Sequence, residues 1–243
     1  MSPFTKACCK AALEITTLLK NTKHTDGAQT TVVGAGGDVS LVYDLIAERC
    51  FVKHLSTFGK IHSEEGGYIG EGEDLIILDP IDGSDNLISN FPYYGASVAL
   101  QHAGHTTVGF VCNFSNGEYF VREKGQLYRG FLTQDNVLEV EINPFSKIGL
   151  FEKASQHPDI AIKLMDAKLK FRAPGAVALS LAYAHEVKYM IFIGKARSYD
   201  VAAGLYLCED LHQYVDDECI IVSHNKDIFA KILRIFNLSD KQR

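Results

Sequence analysis

The chain has 243 residues, which at roughly 100–200 residues per domain means one large domain or two small ones. Hydrophobic residues make up 47% and charged residues 22%, enough apolar material to offset the ordering entropy, which argues against disorder over most of the length. With 24 basic against 30 acidic residues the net charge is -6, which argues against a nucleic-acid partner and fits bound cations.

In chain order, Phe4, Cys8, Ala11, Ile15, Leu18 and Leu19 recur at spacings of three and four and predict a first helix. Lys10 and Glu14 interrupt any apolar signal core, and no apolar run approaches the roughly 18 residues of a membrane span. The polar stretch 21–31 leads to Gly34-Ala35-Gly36-Gly37, read as a flexible approach to a second helix with Asp38 at its N-cap and Val39, Val42, Tyr43, Ile46 and Cys50 inward. The apolar run Leu75–Leu78 predicts a strand buried on both faces. Further strands are expected at 96–100, 108–112, 118–122, 126–128 and 137–142, with Asn116-Gly117 as a hairpin signal. His102 and His105 lack a third ligand and read as exposed imidazoles in a loop.

After Pro144 the pattern alternates. Strands at 148–151, 169–172, 189–193 and 220–223 are separated by helices near 158–167, 176–187 and 200–211, with a last helix near 226–236. The expectation is an N-terminal α+β part over 1–143 and a C-terminal α/β part over 144–243. Six cysteines at 8, 9, 50, 112, 208 and 219 form no C-x-x-C pair and read as reduced core thiols of a cytoplasmic protein.

The chemistry concentrates in Glu64-Glu65 and Asp79-Pro80-Ile81-Asp82-Gly83-Ser84-Asp85-Asn86. Asp79 and Asp82 directly follow a buried strand, where bare like charges are costly. A solvated acidic turn is one resolution; a hard divalent cation that takes oxygen ligands is the other. Pro80 stiffens the turn, so two carboxylates and the Ile81 carbonyl can be aimed at one point. Gly83-Ser84 can open a short helix whose free N–H groups suit a phosphate.

Asp79-Pro80-Ile81-Asp82-Gly83-Ser84-x-Asn86 resembles the D-P-[IL]-D-G-[TS]-x-N signature of the inositol monophosphatase and fructose-1,6-bisphosphatase superfamily. Glu64-Glu65 resembles its upstream acidic pair, Tyr199-Asp200-Val201-Ala202-Ala203-Gly204 its W-D-x-A-[AG]-G element, and 172–178 its segment ending in G-[ST]-A-A. The resemblance implies a layered α-β-α-β-α sandwich, a homodimer, and a Mg²⁺-dependent phosphatase acting on a small phosphorylated polyol, sugar or nucleotide. It implies that Glu64, Asp79, Asp82, Asp200 and the Ile81 carbonyl hold two or three Mg²⁺ ions, and that Asp200 also meets a substrate hydroxyl. Gly83, Ser84, Gly175 and Ala176 would face the phosphate, and Glu64 with the Ser84/Asp38 pair would orient the attacking water. Asp38, Glu64, Asp79, Asp82 and Asp200 carry -5, so two divalent ions leave -1 and three leave +1.

The chain departs from the family pattern in places. Ser84 replaces the usual Thr, Asp85 adds a negative charge, and Glu209-Asp210-Leu211-His212 replaces E-A-G-G. Gly27 stands where the family often has Lys, with Lys23 a loose substitute. Ile193 stands where inositol-selective members carry a Glu. Lys195 and Arg197 read either as solvated charge or as recognition of a second anionic group on the substrate. Lys163, Lys168, Lys170 and Arg172 read as a solvated face. Because some bacterial members of the family contact the transcription machinery, a protein-binding regulator on the same fold, with catalysis dispensable, is the alternative function.

Overall fold

A computed structural model describes residues 1–21, 29–37 and 39–238. The first part runs α1 (Pro3–Asn21), β1 (Gln29–Val33), β2 (Val39–Leu41), α2 (Val42–Leu55), β3 (Lys60–Ser63), β4 (Gly67–Ile69), β5 (Leu75–Asp82) and α3 (Ser84–Ile88). Then come β6 (Gly95–His102), β7 (His105–Asn113), β8 (Glu118–Glu123), β9 (Gln126–Phe131) and β10 (Val137–Glu139). The remainder is β11 (Gly149–Glu152), α4 (Pro158–Asp166), β12 (Phe171–Arg172), α5 (Val177–Ala182), β13 (Met190–Ile193), α6 (Ser198–Leu207), β14 (His212–Val215), β15 (Cys219–Ser223) and α7 (Lys226–Ile235). Strands β1 and β2 pair antiparallel. An eight-stranded sheet has the order β10-β9-β8-β7-β6-β5-β3-β4, and a five-stranded sheet the order β12-β11-β13-β15-β14.

The period-2 alternation of side chains on two central strands generates the layers. On β5, Ile76 and Leu78 face α1 and α2 together with Phe4, Ile15, Phe51 and Phe110. Ile77, between them, faces the opposite way, onto Leu179 of α5 and Ala203 and Leu207 of α6. On β13, Met190 and Phe192 face the other side of that helix pair with Leu181 and Ile220. Ile191 points to the outer core under α4 and α7, beside Leu164, Phe229 and Ile232. The result is the expected α-β-α-β-α sandwich, with α5 and α6 as its middle layer.

Several sequence expectations are corrected. The second helix begins at Val42 and not just after Asp38, because Val39–Leu41 is spent on β2. Of the residues expected inward on it, Tyr43 and Cys50 are buried, together with Asp44, Ala47 and Phe51. Asp38, Lys23 and Gly27 lie outside the described residues. Strands β1 to β4 and β14 are not among the expected strands: β3 buries only Ile61 and Ser63, and β14 is an edge strand with no buried residue. The helix expected over 176–187 stops at Ala182 and continues as a single 3-10 turn, Tyr183–His185.

The Glu209–His212 departure has a structural use. Buried Arg122 on β8 donates through Nε and Nη2 to Leu207 O, at 3.2 and 3.1 Å, capping the end of α6. Asp210 neutralises that guanidinium and also meets His185 Nε2 at 3.1 Å. His102 and His105 close the β6–β7 hairpin, and His102 Nδ1 meets Asp74 at 2.6 Å.

Candidate active site

Strands β3 and β5 run parallel, with Ser63 opposite Leu78, so the residues that follow them emerge at the same sheet end. Glu64 N donates to Leu78 O at 3.0 Å, which fixes Glu64 beside Asp79. Beyond Asp79 the pairing of β5 with β6 slips before resuming at Asp82. Pro80 has no N–H for the ladder, so a bulge there is the expected response. The bulge turns Asp79 back on itself: Ile81 N donates to Asp79 Oδ1 at 3.0 Å. Asp200 arrives from the middle layer as the third residue of α6. Carboxylate oxygens of Glu64, Asp79 and Asp200 all lie within 4.8 Å of one another.

Asp82 has a structural role as well, since its Oδ2 accepts from Leu179 N at 2.9 Å in the first turn of α5. Next to it, Gly83 adopts φ +85°, and a Cβ there would come within 3.0 Å of both Ala176 Cβ and Tyr93 O. Only glycine meets both demands at low cost. Asn86 then ties α3 to the facing loop, donating through Nδ2 to Tyr93 O and Pro174 O, each at 2.7 Å. That loop is held from below by Glu152, which is buried and accepts from Gly175 N at 2.9 Å and from Ser180 Oγ.

These groups surround one cavity of about 490 Å³. Glu64, Asp79, Ile81, Asp82, Gly83, Ser84, Gly175, Arg197 and Asp200 line it, as do Asp85, Asp44, Glu65 and Lys153. Ala176 is buried behind Gly83, and Lys195 is exposed outside the cavity wall. Arg197 is not a free cation. Its Nη1 lies 2.8 Å from Glu64 Oε1, and its Nε and Nη2 donate to Asp200 at 3.1 Å.

Two charged lining residues escaped the sequence reading. Asp44 sits in the first turn of α2, and its Oδ2 accepts from Leu41 N at 2.7 Å. With Asp38 as the N-cap, the sequence pattern puts Asp44 in the second turn, away from the helix start. Lys153 comes from the turn after β11, and no sequence pattern marks it.

Arg197 offsets Glu64 and Asp200, but the buried aspartates stay under strong desolvation and mutual repulsion. Asp79 is 3% exposed, and burial, followed by the charges of Glu64, Asp82, Asp200 and Asp44, pushes its carboxyl well above the usual range. Burial pushes Asp82 up to about 8, against the opposing Leu179 N–H, with Asp200 and Glu152 adding to the rise. Burial pushes Asp44 up to about 7, with the Leu41 N–H opposing and Glu65 adding to the rise. Asp44 Oδ1 is buried and has no hydrogen-bond partner among the described residues. A set of hard oxygen donors without sulfur or imidazole, carrying excess negative charge and one orphaned carboxylate oxygen, fits a divalent cation such as Mg²⁺.

Known proteins of this kind are recognisable across the chain. It is 28% identical over 216 residues to the fructose-1,6-bisphosphatase/inositol-1-monophosphatase of Methanothermobacter thermautotrophicus, covering 79% of this chain and 76% of that protein. It is also 28% identical over 219 residues to the Nus factor SuhB of Vibrio cholerae, covering 82% and 79%. Its fold superposes with a TM-score of 0.79 on the crystal structure of an inositol monophosphatase-fructose 1,6-bisphosphatase, at 21% identity over 97% of this chain and 100% of that one. Residues 1–211 match the inositol monophosphatase family, and the chain belongs to that family.

Proposed function

We propose that the protein is a Mg²⁺-dependent phosphomonoesterase acting on a small phosphorylated polyol, sugar or nucleotide. The observation that carries this reading is the convergence of Glu64, Asp79 and Asp200, mutually within 4.8 Å, on an open cavity of about 490 Å³. In the proposed mechanism Glu64, Asp79, Asp82, Asp200 and the Ile81 carbonyl hold two or three Mg²⁺ ions. Mg²⁺ bound there supplies an activated water and charge stabilisation for the departing alkoxide. The backbone of Gly83 and Ser84, and the Gly175 loop pinned by Glu152, receive the phosphate and fix its orientation. Glu64 and the Ser84 hydroxyl orient the attacking water. Asp38, the expected acidic partner of Ser84, lies outside the described residues; Asp44, which lines the same cavity as Ser84, is a further acidic group for orienting this water. Arg197 must release Glu64 and Asp200 when cations bind.

The test is phosphate release from glycerol 2-phosphate with Mg²⁺ compared with EDTA. Metal-dependent release supports the reading, and its absence over a range of phosphomonoesters removes it. The similarity to a Nus factor motivates a second reading, a protein-binding regulator on the same fold. That reading does not require the carboxylates, so it survives their neutralisation where the phosphatase reading does not.

A further inference from the structure

Two cations line the cavity, and they are in different situations. Arg197 is spent on Glu64 and Asp200. Lys153 is exposed, and among the described residues it pairs with no carboxylate. An ammonium on the wall of a cavity that also carries Glu64, Asp79, Asp82 and Asp200 would be expected to swing towards them. Lys153 does not. Its Nζ sits 4.8 Å from the centroid of the Phe192 ring, a cation–π distance.

The backbone places it there. Lys153 adopts a left-handed conformation (φ 59°, ψ 24°) where β11 ends, which turns it away from the direction of its buried neighbour Glu152. A lysine in that conformation is unusual, since the region favours glycine and asparagine. The turn after β13 makes room for it. Gly194 has φ +133°, and a Cβ at that position would lie 3.3 Å from Lys153 Nζ. The same segment carries Ile193, which packs into the outer core and presents no polar group to the cavity.

We propose that Lys153 determines substrate specificity by receiving a second anionic group of the substrate. The favoured substrate class is then a phosphomonoester bearing another phosphate or a carboxylate, such as a sugar or nucleotide bisphosphate. The inference deepens the phosphatase reading and rests on it. It also moves the second-anion role from Lys195, which lies outside the cavity, and Arg197, which is already paired, to a residue neither motif nor spacing marked.

The test compares wild type, Lys153→Met and Lys153→Arg. For each protein kcat/KM is measured with fructose 1,6-bisphosphate, adenosine 3′,5′-bisphosphate and glycerol 2-phosphate. Wild type should prefer at least one bisphosphate over glycerol 2-phosphate. Lys153→Met should reduce that preference ratio at least tenfold, through KM of the bisphosphate, and Lys153→Arg should restore most of it. A ratio within twofold of wild type in Lys153→Met overturns the proposal, as does a wild type with no preference for either bisphosphate. Binding of the same three compounds by titration calorimetry in Ca²⁺ separates this failure from that of the phosphatase reading. If no phosphate is released from any compound, a tenfold loss of bisphosphate affinity in Lys153→Met still supports the site, and unchanged affinity overturns it.

Discussion

The Arg197 guanidinium spans Glu64 and Asp200, with Nη1 2.8 Å from Glu64 Oε1 and Nη2 3.1 Å from Asp200 Oδ1. It therefore carries the charge that would otherwise be missing from two members of a three-carboxylate cluster. A cation entering the cluster must displace it. We expect Arg197→Gln to lower the melting temperature of the metal-free protein, by an amount worth about 1–2 kcal/mol for a half-buried charged pair. The same variant should bind Mg²⁺ about tenfold more tightly, or about 1.4 kcal/mol, because no intramolecular competitor remains. Calorimetric Mg²⁺ titration with EDTA-treated protein checks both. Weaker Mg²⁺ binding in the variant would show that Arg197 supports the cation and does not compete with it.

Asp79 gives the complementary case. Asparagine keeps the acceptor that Ile81 N uses and removes a buried charge that Glu64, Asp82 and Asp200 repel. Asp79→Asn should leave the apo protein as stable as wild type or more so at pH 7.5, while abolishing turnover and most of the Mg²⁺-induced rise in melting temperature. An unchanged Mg²⁺ effect, or near-normal turnover, counts against Asp79 as a ligand.

The buried strands and the acidic turn were legible in the sequence because they rest on local signals, the continuous apolar runs Leu75–Leu78 and Met190–Ile193 and Pro80 between two aspartates, whereas the layer order came from the family resemblance. Residues that reach the cavity through tertiary placement were not legible. Asp44 depends on where α2 begins, and the three residues of β2 shift that start from the glycine-rich segment to Val42. Lys153 depends on one left-handed residue after β11, which has no compositional mark. Lys195 and Arg197 look equivalent in sequence, yet the start of α6 directs Arg197 onto Asp200 and leaves Lys195 exposed.

Asp44 and Ser84 are proposed to act together on the attacking water. Asp44→Asn retains the acceptor for Leu41 N and so preserves the start of α2. Both Asp44→Asn and Ser84→Ala should lower kcat by roughly 10²-fold, in the range for losing a group that positions a proton transfer. The double variant should lose little more than either single one, since residues acting as a unit are not additive. Independent, multiplying losses would separate the two roles, and Ser84→Thr should be tolerated.

His185 sets an acid limit on stability away from the cavity. Its Nδ1 is buried without a partner among the described residues, and burial holds its pKa below 6.5 although Asp210 pulls the other way. A depressed folded pKa means the neutral ring contributes stability at pH values above 6.5, and this stability is lost as the pH falls through the folded value. His185→Gln can keep a donor towards Asp210 without titrating. Its melting temperature should therefore fall less than that of wild type between pH 7.5 and 5.5. Identical acid-side slopes would mean that the imidazole charges in place without penalty. His224, also held below 6.5 by burial and in part by His185, rises towards its ordinary value in the variant, which shifts the comparison in the same direction.

Substrate choice turns on what the β13 end offers a sugar or polyol ring. The resemblance places a Glu of inositol-selective members at Ile193. Here Ile193 is half-buried, pairs opposite Cys219 and packs into the outer core with Tyr189 and Ile221. It neither accepts a hydroxyl hydrogen bond nor lines the cavity. Loss of one polar contact in a buried site costs about 1–3 kcal/mol, or roughly ten- to two-hundred-fold in kcat/KM. Inositol 1-phosphate should therefore be no better a substrate than glycerol 2-phosphate, and a poorer one than a compound whose second anion can reach Lys153. Substituting Ile193→Glu should not by itself create inositol selectivity, because the side chain is directed into the core and a carboxylate there would destabilise the fold. The panel of kcat/KM values for wild type decides the point. A strong preference for inositol 1-phosphate over all the other substrates would mean that groups elsewhere on the cavity wall, such as Asp200 and Asp85, hold the ring hydroxyls without any contribution from β13.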